Sequence, residues 1–138
     1  MLDRIKRAEK SGFLSLKDYG LTEIPQEVFE LFNLKTLILS DNPLQMLPKE
    51  LGNLSSLKIL QVTNCSFFDD SIPNEIAKLP LEEITLTSNG LTNFDILTRI
   101  PTLKRINLGS NDIISIPENV SSINSDWRAK EIGAFKSI

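Results

Sequence analysis

Apolar side chains recur along this chain in a fixed motif: a leucine, an apolar residue three positions on, another two beyond, and an asparagine three later. The stretch from Leu34 to Asn42, LKTLILSDN, shows it in full. It returns as Leu57, Leu60, Val62 and Cys65, as Leu81, Ile84, Leu86 and Asn89, and as Leu103, Ile106, Leu108 and Asn111. A weaker first copy holds Ser11, Leu14, Leu16 and Tyr19. The copies start at 11, 34, 57, 81 and 103, spaced by 23, 23, 24 and 22 residues. Alternation within each motif has the period of a half-buried strand. The fourth and sixth residues of each copy then point inward, and the third, fifth and seventh to the opposite face.

Between strands the pattern predicts a turn and a return segment. The ninth residue is Asn42, Asn89 or Asn111, with Cys65 and Tyr19 as variants. A buried amide there can serve the donors and acceptors of a bend that has no ladder partner. Ile24-Pro25, Leu47-Pro48, Ile72-Pro73 and Ile116-Pro117 follow, and a proline at that point suits an extended connector opening a short helical turn. Two copies depart. The third reads CSFFDDSIP, which predicts a two-residue bulge around Asp69 and Asp70. The fourth lacks the proline, and its FDILTRI predicts a shorter and more helical back.

Repeats that bury their faces only against neighbours need shielded ends. Residues 1–12 supply an N-terminal cap, a helix over Asp3–Lys10 with Leu2, Ile5 and Ala8 along one side and Gly12 as its stop. Beyond Ile123 the pattern ceases. Ser125 or Asp126 opens a last helix, WRAKEIGAF, with Ala129, Ile132 and Phe135 on one stripe. The expected organisation is one domain over 1–138: a cap at 1–12, five repeats at 13–123 and a second cap at 124–138.

The motif resembles the leucine-rich repeat, L-x-x-L-x-L-x-x-N/C-x-L. The run of Gly12, Leu16-Lys17-Asp18 and Gly20-Leu21-Thr22-Glu23-Ile24-Pro25, continued by DNPLQMLPKELGNLSSLKIL, resembles small intracellular proteins of the Ras-group and plant-intracellular type. The 22-residue fourth copy resembles a phosphatase-regulator repeat. The resemblance implies an α/β fold, a right-handed leucine-rich repeat solenoid. Its five-stranded parallel concave sheet would lie between short N- and C-terminal capping helices. It also implies a protein-binding module without chemistry of its own.

Composition narrows the choices. With 138 residues, 41% hydrophobic and 24% charged, the chain is one globular domain. Its net charge is −3, with five Lys/Arg against two Asp/Glu in residues 1–17, which gives a nucleic-acid backbone no attraction overall. No apolar run approaches the roughly 18 residues of a membrane span. The first residues lack the apolar core of a secretory signal. One cysteine excludes an internal disulfide, and the expected state is a cytoplasmic monomer.

There is no histidine, the commonest general base and metal ligand. Cys65 stands in the asparagine slot of its repeat, where a structural role fits better than a nucleophile. Glu82 and Glu83 point to opposite faces of a strand and cannot converge. Asp69 and Asp70 lack the further oxygens calcium needs and read as a solvated turn. Neither a Gly-rich phosphate loop nor a G-x-S-x-G elbow occurs. The chain is expected to be no enzyme, with no cofactor and no metal site.

The outward sheet face remains. Its third column is Phe13, Thr36, Ile59, Glu83 and Arg105; its fifth is Ser15, Ile38, Gln61, Thr85 and Asn107; its seventh is Lys17, Ser40, Thr63, Thr87 and Gly109. Phe13, Ile38 and Ile59 form an apolar half rimmed by Lys17, Ser40, Gln61 and Thr63. Glu83, Thr85, Arg105 and Asn107 form a polar half. Threonine and isoleucine also suit strands that bind nothing. The face spans ~20–24 Å over five strands, enough for a protein segment. The leading expectation is a non-catalytic interaction module using this face. The alternatives are a regulatory subunit of a bound enzyme, such as a phosphatase or small GTPase, and, remotely, an enzyme built on Cys65.

Overall fold

The computed structural model describes residues 1–115. Each motif folds as a three-residue strand: β1 Phe13–Ser15, β2 Thr36–Ile38, β3 Ile59–Gln61, β4 Glu83–Thr85 and β5 Arg105–Asn107. The strands pair in parallel and in chain order, and the register aligns Leu14, Leu37, Leu60, Ile84 and Ile106. Those five, and Leu16, Leu39, Val62, Leu86 and Leu108 two residues on, are all buried. A slip of one residue would turn this whole set out to solvent, so burial fixes the register.

The return path is a series of single 3-10 turns: Gln26–Glu30, Lys49–Asn53, Asn74–Lys78 and Asp95–Arg99. Pro25, Pro48 and Pro73 precede the first three with φ of −56, −79 and −75° and ψ of 138, 160 and 155°. These are polyproline II values, which the pyrrolidine ring favours by fixing φ. Val28, Leu51, Ile76 and Leu97 turn inward from the four turns and close the core against the sheet. Gly52 allows the second and third turns to approach, since a Cβ there would lie 3.1 Å from that of Glu75.

The back of the fourth repeat is no more helical than the others, contrary to expectation: Asp95–Arg99 is the same five-residue 3-10 turn. Buried Phe94 precedes it where the others have proline.

The N-terminal helix, α1, runs Leu2–Ser11. Ile5 and Ala8 are buried, but Leu2 is 64% exposed. Each step of three residues falls 60° short of a full circle on a 3.6-residue helix, so Leu2 rotates off the face that Ala8 occupies. Gly12 ends the helix at φ 71°, its N–H donating to the Ala8 carbonyl at 2.9 Å. Its own carbonyl accepts the amides of Lys35 (2.8 Å) and Thr36 (3.1 Å), tying the cap to β2. The C-terminal cap expected at 124–138, its helix and the return path of the fifth repeat lie outside the described residues.

The bulge of the third repeat does form at Asp69 and Asp70, but it is not merely solvated. Ser71, buried at the end of the 3-10 turn Asp69–Ser71, accepts the Phe68 amide at 2.9 Å and donates to the Gln45 carbonyl. The Asp69 carboxylate accepts the Thr92 amide at 2.8 Å and the Thr92 hydroxyl. Asp69 and Ser71 thus bridge repeats two, three and four.

Candidate functional site

The outward columns follow from the same register. Phe13, Thr36, Ile59, Glu83 and Arg105 align across the sheet, as do Ser15, Ile38, Gln61, Thr85 and Asn107. Phe13 is 51% exposed, while Ile38 and Ile59 are half-buried. Thr36 stands between Phe13 and Ile59, and Ile38 meets both only diagonally, at about 7–8 Å. The three apolar side chains are therefore staggered, not consecutive.

One rim residue is corrected. Ser40 is buried, and its hydroxyl accepts the Thr63 amide at 3.1 Å. The strand has ended by then, and the serine oxygen takes the place of a ladder carbonyl. Ser40 is thus not on the accessible face. Thr63 shares a hydrogen bond with Thr87 (2.8 Å, oxygen to oxygen), Lys17 lies 3.8 Å from Asp41, and Gln61 is half-buried. On the polar half Arg105 pairs with Glu83, and Asn107 accepts the Gly109 amide at 3.2 Å.

Behind this face lie the turns. Asp18, Asp41, Asn64, Ser88 and Ser110 occupy the eighth place of successive repeats, with φ of 59, 61, 55, 58 and 58°. Left-handed backbone at non-glycine residues is costly, and after Asp41, Ser88 and Ser110 the following asparagine anchors it. Asn42 donates to the carbonyls of Leu16 (2.9 Å) and Leu39 (2.8 Å), and its amide oxygen accepts the amides of Tyr19 (3.0 Å) and Leu21 (2.9 Å). Asn89 does the same for Cys65 and Phe67, each at 3.0 Å. Asn111 accepts the Leu91 amide at 3.1 Å. Every asparagine serves the turn of the repeat before it.

The two variants of that slot differ from each other. Tyr19 is 40% exposed and lies under the Arg4 guanidinium, 5.8 Å from the ring centre, so it is a surface residue and not a member of the ladder. Cys65 is fully buried, with Sγ donating to the Leu39 carbonyl at 3.3 Å. Burial pushes its thiol pKa up, the nearby backbone of Asn42 opposes this, and the Asp41 carboxylate adds to it. A protonated, enclosed thiol is a poor nucleophile. Iodoacetamide at neutral pH is expected to leave the folded protein unmodified and to label Cys65 once urea unfolds it. Labelling of the native protein at the unfolded rate would reinstate Cys65 as a reactive group.

A column the periodicity did not single out adds to the site. Lys35, Lys58, Glu82 and Lys104 follow the first apolar residue of their repeats, and with Glu83 and Arg105 they edge a shallow cleft of about 550 Å³. Thr36 and Ile59 also line it. The signal was present as Leu-Lys at 34–35, 57–58 and 103–104. Among the described residues no cluster of acidic or cysteine side chains is placed to hold a metal. None of their helices is long and apolar enough to cross a membrane.

The Leucine Rich Repeat family model matches residues 33–54. Over 120 residues the chain is 34% identical to plant intracellular Ras-group-related LRR protein 8 of Oryza sativa subsp. japonica, covering 83% of this chain and 31% of that one. It is 32% identical over 112 residues to Ras guanine nucleotide exchange factor V of Dictyostelium discoideum, covering 80% of this chain and 5% of the other. A solved leucine-rich repeat protein of Leptospira interrogans superposes on the whole chain with a TM-score of 0.87 at 26% identity, over 35% of its own length. The chain thus spans about a third or less of these relatives.

Proposed function

We infer, for a chain that is a leucine-rich repeat solenoid, that it is a non-catalytic module capturing a protein partner on its concave sheet face, in the cytoplasm and as a monomer. Proteins of this fold generally mediate protein–protein interaction and are typically non-enzymatic. The observation that carries the choice of face is Phe13, a large ring half in water on the sheet face that also carries Ile38 diagonally from it and Ile59 two strands away. Exposed apolar groups rimmed by polar ones mark interaction sites. Lys17, Gln61 and Thr63 border them on one side and Glu83, Thr85, Arg105 and Asn107 on the other.

Phe13→Ser combined with Ile38→Thr is expected to weaken partner capture by about tenfold or more, the loss of a central apolar contact. The far-UV spectrum and melting temperature should hold, because threonine keeps the branched shape that strands favour. Thr85→Asp with Asn107→Asp should weaken capture less. Equal capture by wild type and both variants would remove the partner from this face.

A second reading, a regulator of a bound small GTPase, draws on the Ras-related names of the rice and Dictyostelium relatives. It requires that adding this chain change the nucleotide exchange or hydrolysis rate of the captured GTPase. Unchanged rates leave the simple capture module.

A further inference from the structure

We propose that the cleft at the N-terminal ends of β2–β5 binds an acidic peptide segment, a run carrying Asp or Glu at alternate positions. The proposal rests on the interaction-module reading and names the chemistry of the partner. Four cations, Lys35, Lys58, Lys104 and Arg105, meet two carboxylates, Glu82 and Glu83, a local charge of +2 in a chain whose net charge is −3. The cleft is thus opposite in sign to the chain as a whole. An acidic segment is attracted to the cleft, as it is to the basic N-terminal cap, and only the cleft offers its cations in a column.

The two ends of the cation column are spaced for such a ligand. Lys35, Lys58 and Lys104 precede β2, β3 and β5, so the column spans three strand separations, about 14 Å. An extended peptide crossing the strands places alternate side chains about 6.8 Å apart, so three acidic residues in an alternating run also span about 14 Å. The side chains are available as well. Glu82 lies 3.2 Å from Lys58 and 3.9 Å from Lys104, holding both ammonium groups up at the cleft with one carboxylate. Lys35 has no carboxylate within ion-pair distance among the described residues. Half the surface of the Lys58 and Lys104 side chains is in water (47 and 50%). Pairs so exposed contribute little and exchange readily for a ligand carboxylate. Glu82 therefore acts as an internal stand-in for the peptide.

Anisotropy of a fluorescent alternating Glu-Ala dodecapeptide, titrated with the full chain at low salt, tests this. Saturable binding is expected, weakened by salt as exposed charges are screened, and about tenfold or more weaker for the Gln-Ala analogue. Lys35→Glu with Lys104→Glu should lose about tenfold or more. Glu82→Gln should tighten binding severalfold, a gain no merely structural role for Glu82 produces. Lys6→Glu with Lys49→Glu, remote from the cleft, is the charge control. No saturable binding, equal loss in the control, or indifference to Glu82→Gln overturns the proposal. So does binding to phosphatidylserine-containing vesicles, lost in Lys35→Glu with Lys104→Glu, when the peptide does not bind. Phe13→Ser with Ile38→Thr lies outside the cleft and should leave peptide binding intact. Failure of the sheet-face reading is therefore visible separately from failure here.

Discussion

Leu86→Ala is expected to cost about 2–5 kcal/mol, the range for a leucine removed from a packed core with incomplete collapse. Leu86 has no solvent exposure and lies in line with Val62 and Leu108 on the neighbouring repeats. Its amide donates to the Asn107 carbonyl at 2.8 Å, and its carbonyl accepts from both Asn89 (2.9 Å) and Asn111 (2.8 Å). Deleting the side chain therefore leaves a cavity at the point where three repeats meet. Because each repeat is stable only against its neighbours, the loss should lower the urea midpoint of the whole cooperative transition. A midpoint within error of wild type would show that Leu86 does not pack inward.

Asn89→Ala comes next, at roughly 2–3 kcal/mol. The side chain donates to the carbonyls of Val62 (3.0 Å) and Leu86, and accepts the amides of Cys65 and Phe67. Removing it strands two amides, each costing roughly 1–3 kcal/mol where water cannot reach, and Asn89 is only half-buried. Cys65→Ser tests the contrast. Its hydroxyl can still donate to the Leu39 carbonyl, and Cys65 offers no amide oxygen whose loss could strand a partner. Thermal melts should show a clear drop for Asn89→Ala and a small one for Cys65→Ser. The reverse order would mean the two residues do not occupy equivalent slots.

The inward half of the structure was legible because it is periodic. Leu37, Leu60 and Ile84 are buried by the same alternation that makes them strands, and the spacing of repeats brings them into line. What escaped has local causes. Ser40 carries a polar label yet is buried, since its hydroxyl continues a ladder the strand has left. Tyr19 matches the asparagine slot by count, but the first repeat has no earlier turn for it to serve. The Lys35–Lys58–Lys104 column was missed because alternation asks which side chains enter the core, not which gather at the strand ends. Asp69 looked solvated because the donors its carboxylate accepts arrive only after the chain has travelled a further repeat to Thr92.

The asparagine ladder also runs one way, and that sets an order on assembly. Tyr19 and Leu21 wait for Asn42, and Cys65 and Phe67 wait for Asn89, more than twenty residues downstream in each case. A chain leaving the ribosome from its N-terminus cannot complete the bend of one repeat until the next has emerged. Wherever the next repeat carries the asparagine, the folding front must trail synthesis by a full repeat, with that turn open at the growing end. A break in the chain is correspondingly asymmetric: cutting before an asparagine strips the turn upstream of its acceptor, whereas cutting after it leaves that turn closed.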